Sequence, residues 1–252
     1  MQLRVLGNAG GSAPGRQLSS YLIDGVLAVD AGSLTTVLEL EEQLQLEAVL
    51  LTHGHLDHVG TLPFLLIHRY GRDLPPISVV ASAYTHKTLQ DHLLNERVWV
   101  TLEVATGGDP TRIPMVTMEP GEERRFLDRY DVRTIALNHE VPCQAYAISD
   151  GTSQVIVCGD TTTTDAVWEA ANAIDGLGGI LIECSWTDDE LAHITGHMSP
   201  GLLLADLAKL KADVPVYVTH CKPGFQEEVH AALRASGDSR LRYVFDGDVL
   251  TF

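Results

Sequence analysis

His53-Gly54-His55-Leu56-Asp57-His58 puts three histidines and an aspartate within six residues, at the exit of the apolar run Ala48-Val49-Leu50-Leu51-Thr52. Imidazole nitrogen and carboxylate oxygen are donors suited to zinc and similar divalent ions. In a turn after a strand, residues two apart can face one space. His53 and His55 can therefore grip one cation, while Asp57 and His58, one turn on, face the adjacent position. Gly54 permits the close turn. A lone histidine is more often an ordinary surface or core residue, but this density directly after a buried strand points to metal.

Six residues cannot complete a pair of sites. Ligands in α/β sheets gather beyond the carboxyl ends of strands, and His139, Asp160 and His220 each follow an apolar run: Val132–Leu137, Val155–Gly159 and Val216–Thr219. We therefore assign His53, His55 and His139 to one ion and Asp57, His58 and His220 to a second, with Asp160 bridging. Two divalent ions about 3.5–4 Å apart bring a shared water toward neutral pKa and clamp the attacking and leaving oxygens. Asp57 can also hold that water. Zinc fits the donors best, with manganese or iron as alternatives. Seven ligands over two ions leave an open position, unlike a closed structural zinc site or a non-catalytic metal-bound nucleotide sensor.

His197 follows Gly196 and precedes Ser199-Pro200, a helix-start signature. There a cationic imidazole could meet a phosphate oxygen or protonate a leaving alkoxide; the plainer alternative is a hydrogen bond to a loop carbonyl. His68, His86, His92, His193 and His230 read as surface residues. Gly7-Asn8-Ala9-Gly10-Gly11 could bring backbone amides near the site or form a plain turn. It matches no dinucleotide or P-loop fingerprint.

The elements that must position these residues alternate. Strands are predicted at Leu3–Leu6, Ser20–Ile23, Val26–Asp30, Ala48–Thr52, Ile77–Ala81, Val132–Leu137, Gln144–Ser149, Gln154–Gly159, Gly179–Glu183 and Pro215–Thr219. Asp24-Gly25 marks a hairpin. Helices are predicted at Leu34–Leu44, Pro63–Tyr70, Tyr84–Trp99, Thr164–Ala173, Pro200–Lys211 and Gln226–Ser236. Runs such as Val155-Ile156-Val157-Cys158 suggest strands covered on both faces. The pattern gives an α/β architecture with helices outside. A single domain, residues 1–252, with two pseudo-symmetric halves (about 1–130 and 131–252) fits the similar element order of both halves.

The 252 residues are 45% hydrophobic and 20% charged, an ordinary globular composition. Net charge is −17, from 17 basic against 34 acidic residues, and no run of Lys or Arg exceeds two. A polyanion would be repelled at long range, so a nucleic-acid partner is not expected, whereas a small anion can still be held by metal charge. The N-terminus lacks a signal-peptide core, and no stretch approaches the ~20 apolar residues of a membrane span. The reading is a cytoplasmic protein without a membrane partner. Cys143, Cys158, Cys184 and Cys221 are read as reduced core thiols. A homodimer is expected only from the base rate for soluble enzymes.

H-x-H-x-D-H, a lone later His, an Asp and a final His resemble the metallo-β-lactamase fold superfamily, and Val29-Asp30-Ala31-Gly32 looks like its early strand and turn. The resemblance implies an αββα four-layer sandwich of two facing mixed β-sheets with helices outside and metals at one edge. A narrower similarity is to class II 3′,5′-cyclic-nucleotide phosphodiesterases. It is carried by Thr52–Leu62, Leu94-Asn95-Glu96-Arg97-Val98-Trp99, Ile182-Glu183-Cys184-Ser185, Thr195-Gly196-His197-Met198-Ser199-Pro200 and Thr219-His220-Cys221-Lys222-Pro223. Val100 and Ser199 depart from that class, which usually has Pro and Thr there. The resemblance implies hydrolysis of cAMP or cGMP to the 5′-monophosphate, with Asp57 and His197 catalytic and His197 and Asn95 contacting substrate. Alternatives within the superfamily are a tRNA 3′-processing endonuclase and a thioester or lactone hydrolase.

Overall fold

The computed structural model describes all 252 residues. The first sheet takes β1 (Gln2–Gly7), β2 (Ser20–Ile23), β3 (Leu27–Val29), β4 (Ala48–Leu50), β5 (Ser78–Ala81) and β6 (Met115–Thr117) in that spatial order. The second takes β7 (Glu123–Phe126), β8 (Tyr130–Leu137), β9 (Cys143–Ser149), β10 (Gln154–Val157), β11 (Leu177–Glu183), β12 (Val216–Thr219) and β13 (Leu241–Tyr243), again in order. The last strand, β14 (Val249–Thr251), returns to the first sheet outside β1. In each sheet the early strands pair antiparallel and the later ones parallel. Both sheets thus share the same change of strand direction. The chain changes sheets between Thr117 and Glu123, somewhat before the expected boundary near residue 130.

Three apolar layers hold four structural ones. Leu3, Val5, Ile23, Leu27, Val29 and Leu50 from the first sheet meet Tyr130, Val132, Tyr146, Ile148, Val155 and Val157 from the second. Outside the first sheet, Leu34, Leu62, Leu65 and Leu66 pack helices onto Val49 and Val79. Outside the second, Trp168, Leu203, Leu207, Val229 and Leu233 cover Ile156, Ile180 and Ile182. Fully burying one such side chain contributes about 1.5–3 kcal/mol, so burial on both faces fixes strand positions firmly. This is the αββα sandwich expected from the sequence. The Asp24-Gly25 hairpin forms between β2 and β3, with both residues at positive φ.

Several elements differ from expectation. The helix predicted over Leu34–Leu44 is two, α1 (Leu34–Val37) and α2 (Leu40–Gln45), because a Glu39–Glu42 capping box starts a new helix. The helix predicted over Tyr84–Trp99 is shorter. Past α3 (Leu56–Val59) and α4 (Leu62–His68), α5 covers Ala83–Thr88, a π turn follows at Leu89–Leu93, and bends continue to Trp99. Asn95 accounts for the stop: its Oδ1 accepts from Arg97 N and Val98 N, each at 3.0 Å, and Nδ2 donates to Asp91 O at 2.8 Å. Short edge strands β6, β7, β13 and β14 and helices α6 (Leu102–Thr106) and α8 (Asp189–Ile194) carry too little periodic apolar signal to be seen in advance. The helices expected near the second sheet are α7 (Ala166–Ala173), α9 (Pro200–Leu207) and α10 (Gln226–Ala235). None of the helices is long and apolar enough to cross a membrane.

Two histidines expected at the surface are buried. His86 on α5 bonds Val116 O at 3.1 Å, and His230 on α10 packs against Tyr243 with ring centroids 4.6 Å apart. Each lies on the helix face turned to the sheet. His92 and His193 are exposed, and His68 is half-buried.

Candidate metal centre

The carboxyl ends of β4, β8, β10, β11 and β12 converge at one edge of the sandwich. The short loop after β4 is anchored before the first histidine: Leu51 N donates to Val80 O and Thr52 N to Asp30 Oδ1, both at 2.8 Å. His55 then starts α3, its carbonyl accepting from His58 N and Val59 N. One four-residue helix thus delivers Asp57 and His58 together.

All seven predicted ligands meet. Donor atoms of His53, His55, His139 and Asp160 lie within 4.8 Å of one another, as do those of Asp57, His58, Asp160 and His220. Asp160 is shared, with Oδ2 3.7 Å from His53 Nε2 and 3.9 Å from His139 Nε2, and Oδ1 3.3 Å from His58 Nε2 and 3.2 Å from His220 Nε2. His55 Nδ1 sits 3.2 Å from His139 Nε2, and His58 Nε2 3.1 Å from His220 Nε2.

Four of the five ligand histidines have their outward ring nitrogen engaged. His58 Nδ1 bonds Asp30 Oδ2 at 2.7 Å, His139 Nδ1 bonds Gly196 O at 2.8 Å, His220 Nδ1 meets Ser185 Oγ at 3.0 Å and His53 Nδ1 meets Thr52 Oγ1 at 3.1 Å. Fixing Nδ1 in this way turns each Nε2 inward. His53 Nε2 and Asp160 Oδ1 are buried yet have no hydrogen-bond partner. Buried polar atoms are rarely left so. Orphaned donors beside paired nitrogen lone pairs fit divalent cations.

Burial, then the neighbouring His58, hold His53 well below the usual histidine range, and burial with His139 lowers His55, so both are neutral donors. Burial opposes charge on His58, but Asp160 and Asp30 raise it well above that range. Burial likewise opposes ionisation of Asp57 and Asp160. The hydrogen bond from His220 to Asp57, and the charges of His220 and His58 beside Asp160, outweigh it and keep both carboxylates ionised.

His197 stands beside this set, its ring centroid 5.1 Å from that of His139 and 5.6 Å from that of His220. Its Nδ1 bonds Glu183 Oε1 at 2.7 Å, leaving Nε2 without a protein partner. Glu183 also accepts from Thr161 N at 2.8 Å, Ser185 Oγ at 2.5 Å and Met198 N at 3.3 Å. With four donors, Glu183 is an orienting carboxylate, although it lies near enough to Asp160, His197 and His220 to be considered a ligand. Burial disfavours charge on His197, but Glu183 more than offsets it and raises its pKa.

Spacing did not disclose Asp30, Glu183 or Ser185 as orienting groups. They entered only within Val29–Gly32 and Ile182–Ser185, segments that carry the family resemblance, without a role. Asp30 and His220 both hold left-handed backbone, φ 59°, rare for residues with a Cβ. Of the two readings of the Gly7–Gly11 loop, the plain turn fits Gly10, whose N–H donates to Cys221 O. Its use is space: a Cβ there would lie 2.6 Å from the His220 ring. Asn95, expected at the substrate, has its amide engaged in its own turn. The four cysteines are buried and free, and burial pushes Cys221 up to about 12, consistent with inert thiols.

One cleft of about 380 Å³ adjoins the cluster, lined by His139, Glu140, Thr162 and Ile194; another of about 270 Å³, lined by Arg16, Gln17, Ser33 and Leu56, touches the chain between His55 and Asp57. A third of about 360 Å³, between β8 and α7, contains none of these histidines, so size alone does not locate the chemistry.

A family model described as "Beta-lactamase superfamily domain" matches residues 20–221. Ribonuclease J of Mycolicibacterium smegmatis is 29% identical over 174 residues, covering 63% of this chain and 28% of that protein; the chain thus spans well under half of that relative. The probable metallo-hydrolase YhfI of Bacillus subtilis is 26% identical over 99% of this chain and 96% of its own. Its crystal structure superposes with a TM-score of 0.80, at 18% identity over 99% of each chain. Unliganded yeast PDE1 superposes with a TM-score of 0.81, at 18% identity, covering 100% of this chain and 99% of its own.

Proposed function

As a metallo-hydrolase of the beta-lactamase superfamily, to which the chain belongs, this protein, we propose, hydrolyses the phosphodiester of a 3′,5′-cyclic nucleotide to the 5′-monophosphate. The observation that carries the reading is two donor groups sharing Asp160, with His197 Nε2 free beside them. His53, His55 and His139 would hold one divalent ion and Asp57, His58 and His220 the other, with Asp160 between them. Bound there, two such ions supply an activated water and neutralise charge on the phosphoryl oxygens. Asp57 accepts a hydrogen bond from the attacking water and aims it at phosphorus. His197 donates its Nε2 proton to the departing 3′ oxygen, while Glu183 keeps the Nδ1 proton and the ring orientation. One P–O bond forms, the P–O3′ bond breaks, and positioning with charge neutralisation supplies the acceleration. Asn95 serves by shaping the Leu94–Trp99 segment.

Metal-replete protein should turn over cAMP or cGMP. No turnover of either, with hydrolysis of a thioester or lactone instead, would overturn the assignment.

A second reading, cleavage of an RNA phosphodiester, is favoured by the matches to ribonuclease J and to the chloroplastic tRNase Z TRZ2 of Arabidopsis thaliana, 27% identical over 53% of this chain. Net charge −17 weighs against it. Retardation and trimming of a tRNA precursor at physiological salt, with cyclic nucleotides untouched, would establish it instead.

A further inference from the structure

One cation reaches the edge of the cluster in this acidic chain. Lys222 Nζ lies 4.0 Å from Asp57 Oδ2, and no other lysine or arginine forms an ion pair with Asp30, Asp57, Asp160 or Glu183. Its side chain is only 17% exposed. The distance to Asp57 is beyond hydrogen-bonding reach, and no protein group accepts from Nζ, so its three donors face solvent and are open to a ligand. An anion bound beside it would accept a charge-assisted hydrogen bond in place of water.

Lys222 is held in place by the residues that orient the histidines. Its backbone N donates to Ser185 O at 3.1 Å, and its carbonyl accepts from Phe225 N at 3.1 Å. The Ser185 hydroxyl meets His220 Nδ1 and Glu183. Pro223 fixes the following φ. The charge of Lys222 is also felt at His197. The ammonium therefore lies near both Asp57, which aims the water, and His197, which protonates the leaving oxygen. In that region a phosphoryl group would present its non-bridging oxygens.

We propose that Lys222 is a substrate-binding residue that takes a non-bridging phosphoryl oxygen of the phosphodiester, and of a phosphate product, by a charge-assisted hydrogen bond. The inference rests on the phosphoester reading above, but its test does not require turnover. Titrate inorganic phosphate into metal-loaded wild type, Lys222→Met and Lys222→Arg by calorimetry, measuring bound metal and Tm alongside. The expected result is roughly tenfold weaker phosphate binding in Lys222→Met, about 1.4 kcal/mol, with metal content and Tm retained and affinity largely restored in Lys222→Arg. KM for the phosphodiester should rise in parallel. Equal phosphate affinity in wild type and Lys222→Met overturns the assignment. So does loss of phosphate affinity that tracks metal loss and is not restored by arginine, since the lysine would then only support Asp57. If wild type cleaves no phosphodiester but Lys222→Met still binds phosphate tenfold more weakly, the cyclic-nucleotide reading fails and the lysine assignment stands.

Discussion

The two sides of the metal centre are built differently. The first sheet contributes His53, His55, Asp57 and His58 from one loop and one short helix, backed mainly by Asp30 and Thr52. The second contributes His139, Asp160, His197 and His220 from separate strand ends or loops, tied together by Glu183, Ser185 and the Gly196 carbonyl. A contiguous turn fixes ligand spacing through local backbone geometry. Dispersed ligands need a buried hydrogen-bond network to reach comparable order. We therefore expect the first side to govern metal capture and the second to govern both metal bridging and proton delivery.

The largest effect should come where the sides meet. Asp160→Ala should remove most bound metal and bring hydrolysis to background, measured by elemental analysis and turnover. Retention of both would end the idea of a shared carboxylate.

Next, the orienting carboxylates should separate the sides. Glu183→Gln should lower turnover roughly 10–100-fold with metal largely kept, because His197 loses its charged partner. Asp30→Asn should instead weaken metal affinity by roughly 10–100-fold, because an amide can present a donor to His58 Nδ1 and disturb its inward-facing nitrogen. Competition with a chromogenic chelator and steady-state kinetics distinguish the two, and an exchange of the two patterns would break the comparison.

Gly10→Ala probes a loop of the first sheet acting on a ligand of the second. Its methyl group would meet the His220 ring at 2.6 Å, so overpacking should cost about 1–3 kcal/mol, read as a lower Tm with reduced metal affinity. A neutral outcome would show that the ring has room to shift.

The smallest effect concerns His230, behind His220, with Nε2 3.9 Å from Cys221 Sγ. Burial and nearby Arg234 lower its pKa to about 4 from the ordinary 6.5. A histidine depressed in the folded state favours the neutral form, so its contribution is present above about 6.5 and is lost as pH falls toward 4. His230→Gln should destabilise more at pH 7.5 than at pH 5, seen as a Tm difference that narrows on acidification. A constant difference would mean packing alone.

Legibility in the sequence follows the same division. The turn from His53 to His58 was readable because its ligands are neighbours in the chain. His139, Asp160 and His220 were readable only through the rule that sites form at strand ends, which gives place without partner. The orienting roles of Glu183 and Asp30 escaped, although both stood in segments that carry the resemblance, because a hydrogen bond between separate strand ends leaves no mark in spacing. Asn95 was proposed only through the resemblance carried by Leu94–Trp99, and spacing gave no sign that its amide would bond within its own turn. Burial of His86 depended on which face of the six-residue α5 met the sheet, whereas His230 lies on the Gln226-Val229-Leu233 stripe of α10, whose spacing does mark the inner face. The continuous apolar strands announced the sandwich, whereas its brief polar edges, such as Glu123–Phe126, did not.

The ligand set runs from His53 to His220, and the strand bordering the first sheet is the last in the chain. During synthesis the opening turn can emerge and fold locally well before its partners exist. Until residue 220 is available, a cation held there has only half its ligands and exchanges freely. We therefore expect the first side to direct the cation and tight capture to be complete only once His220 has joined it, late in maturation.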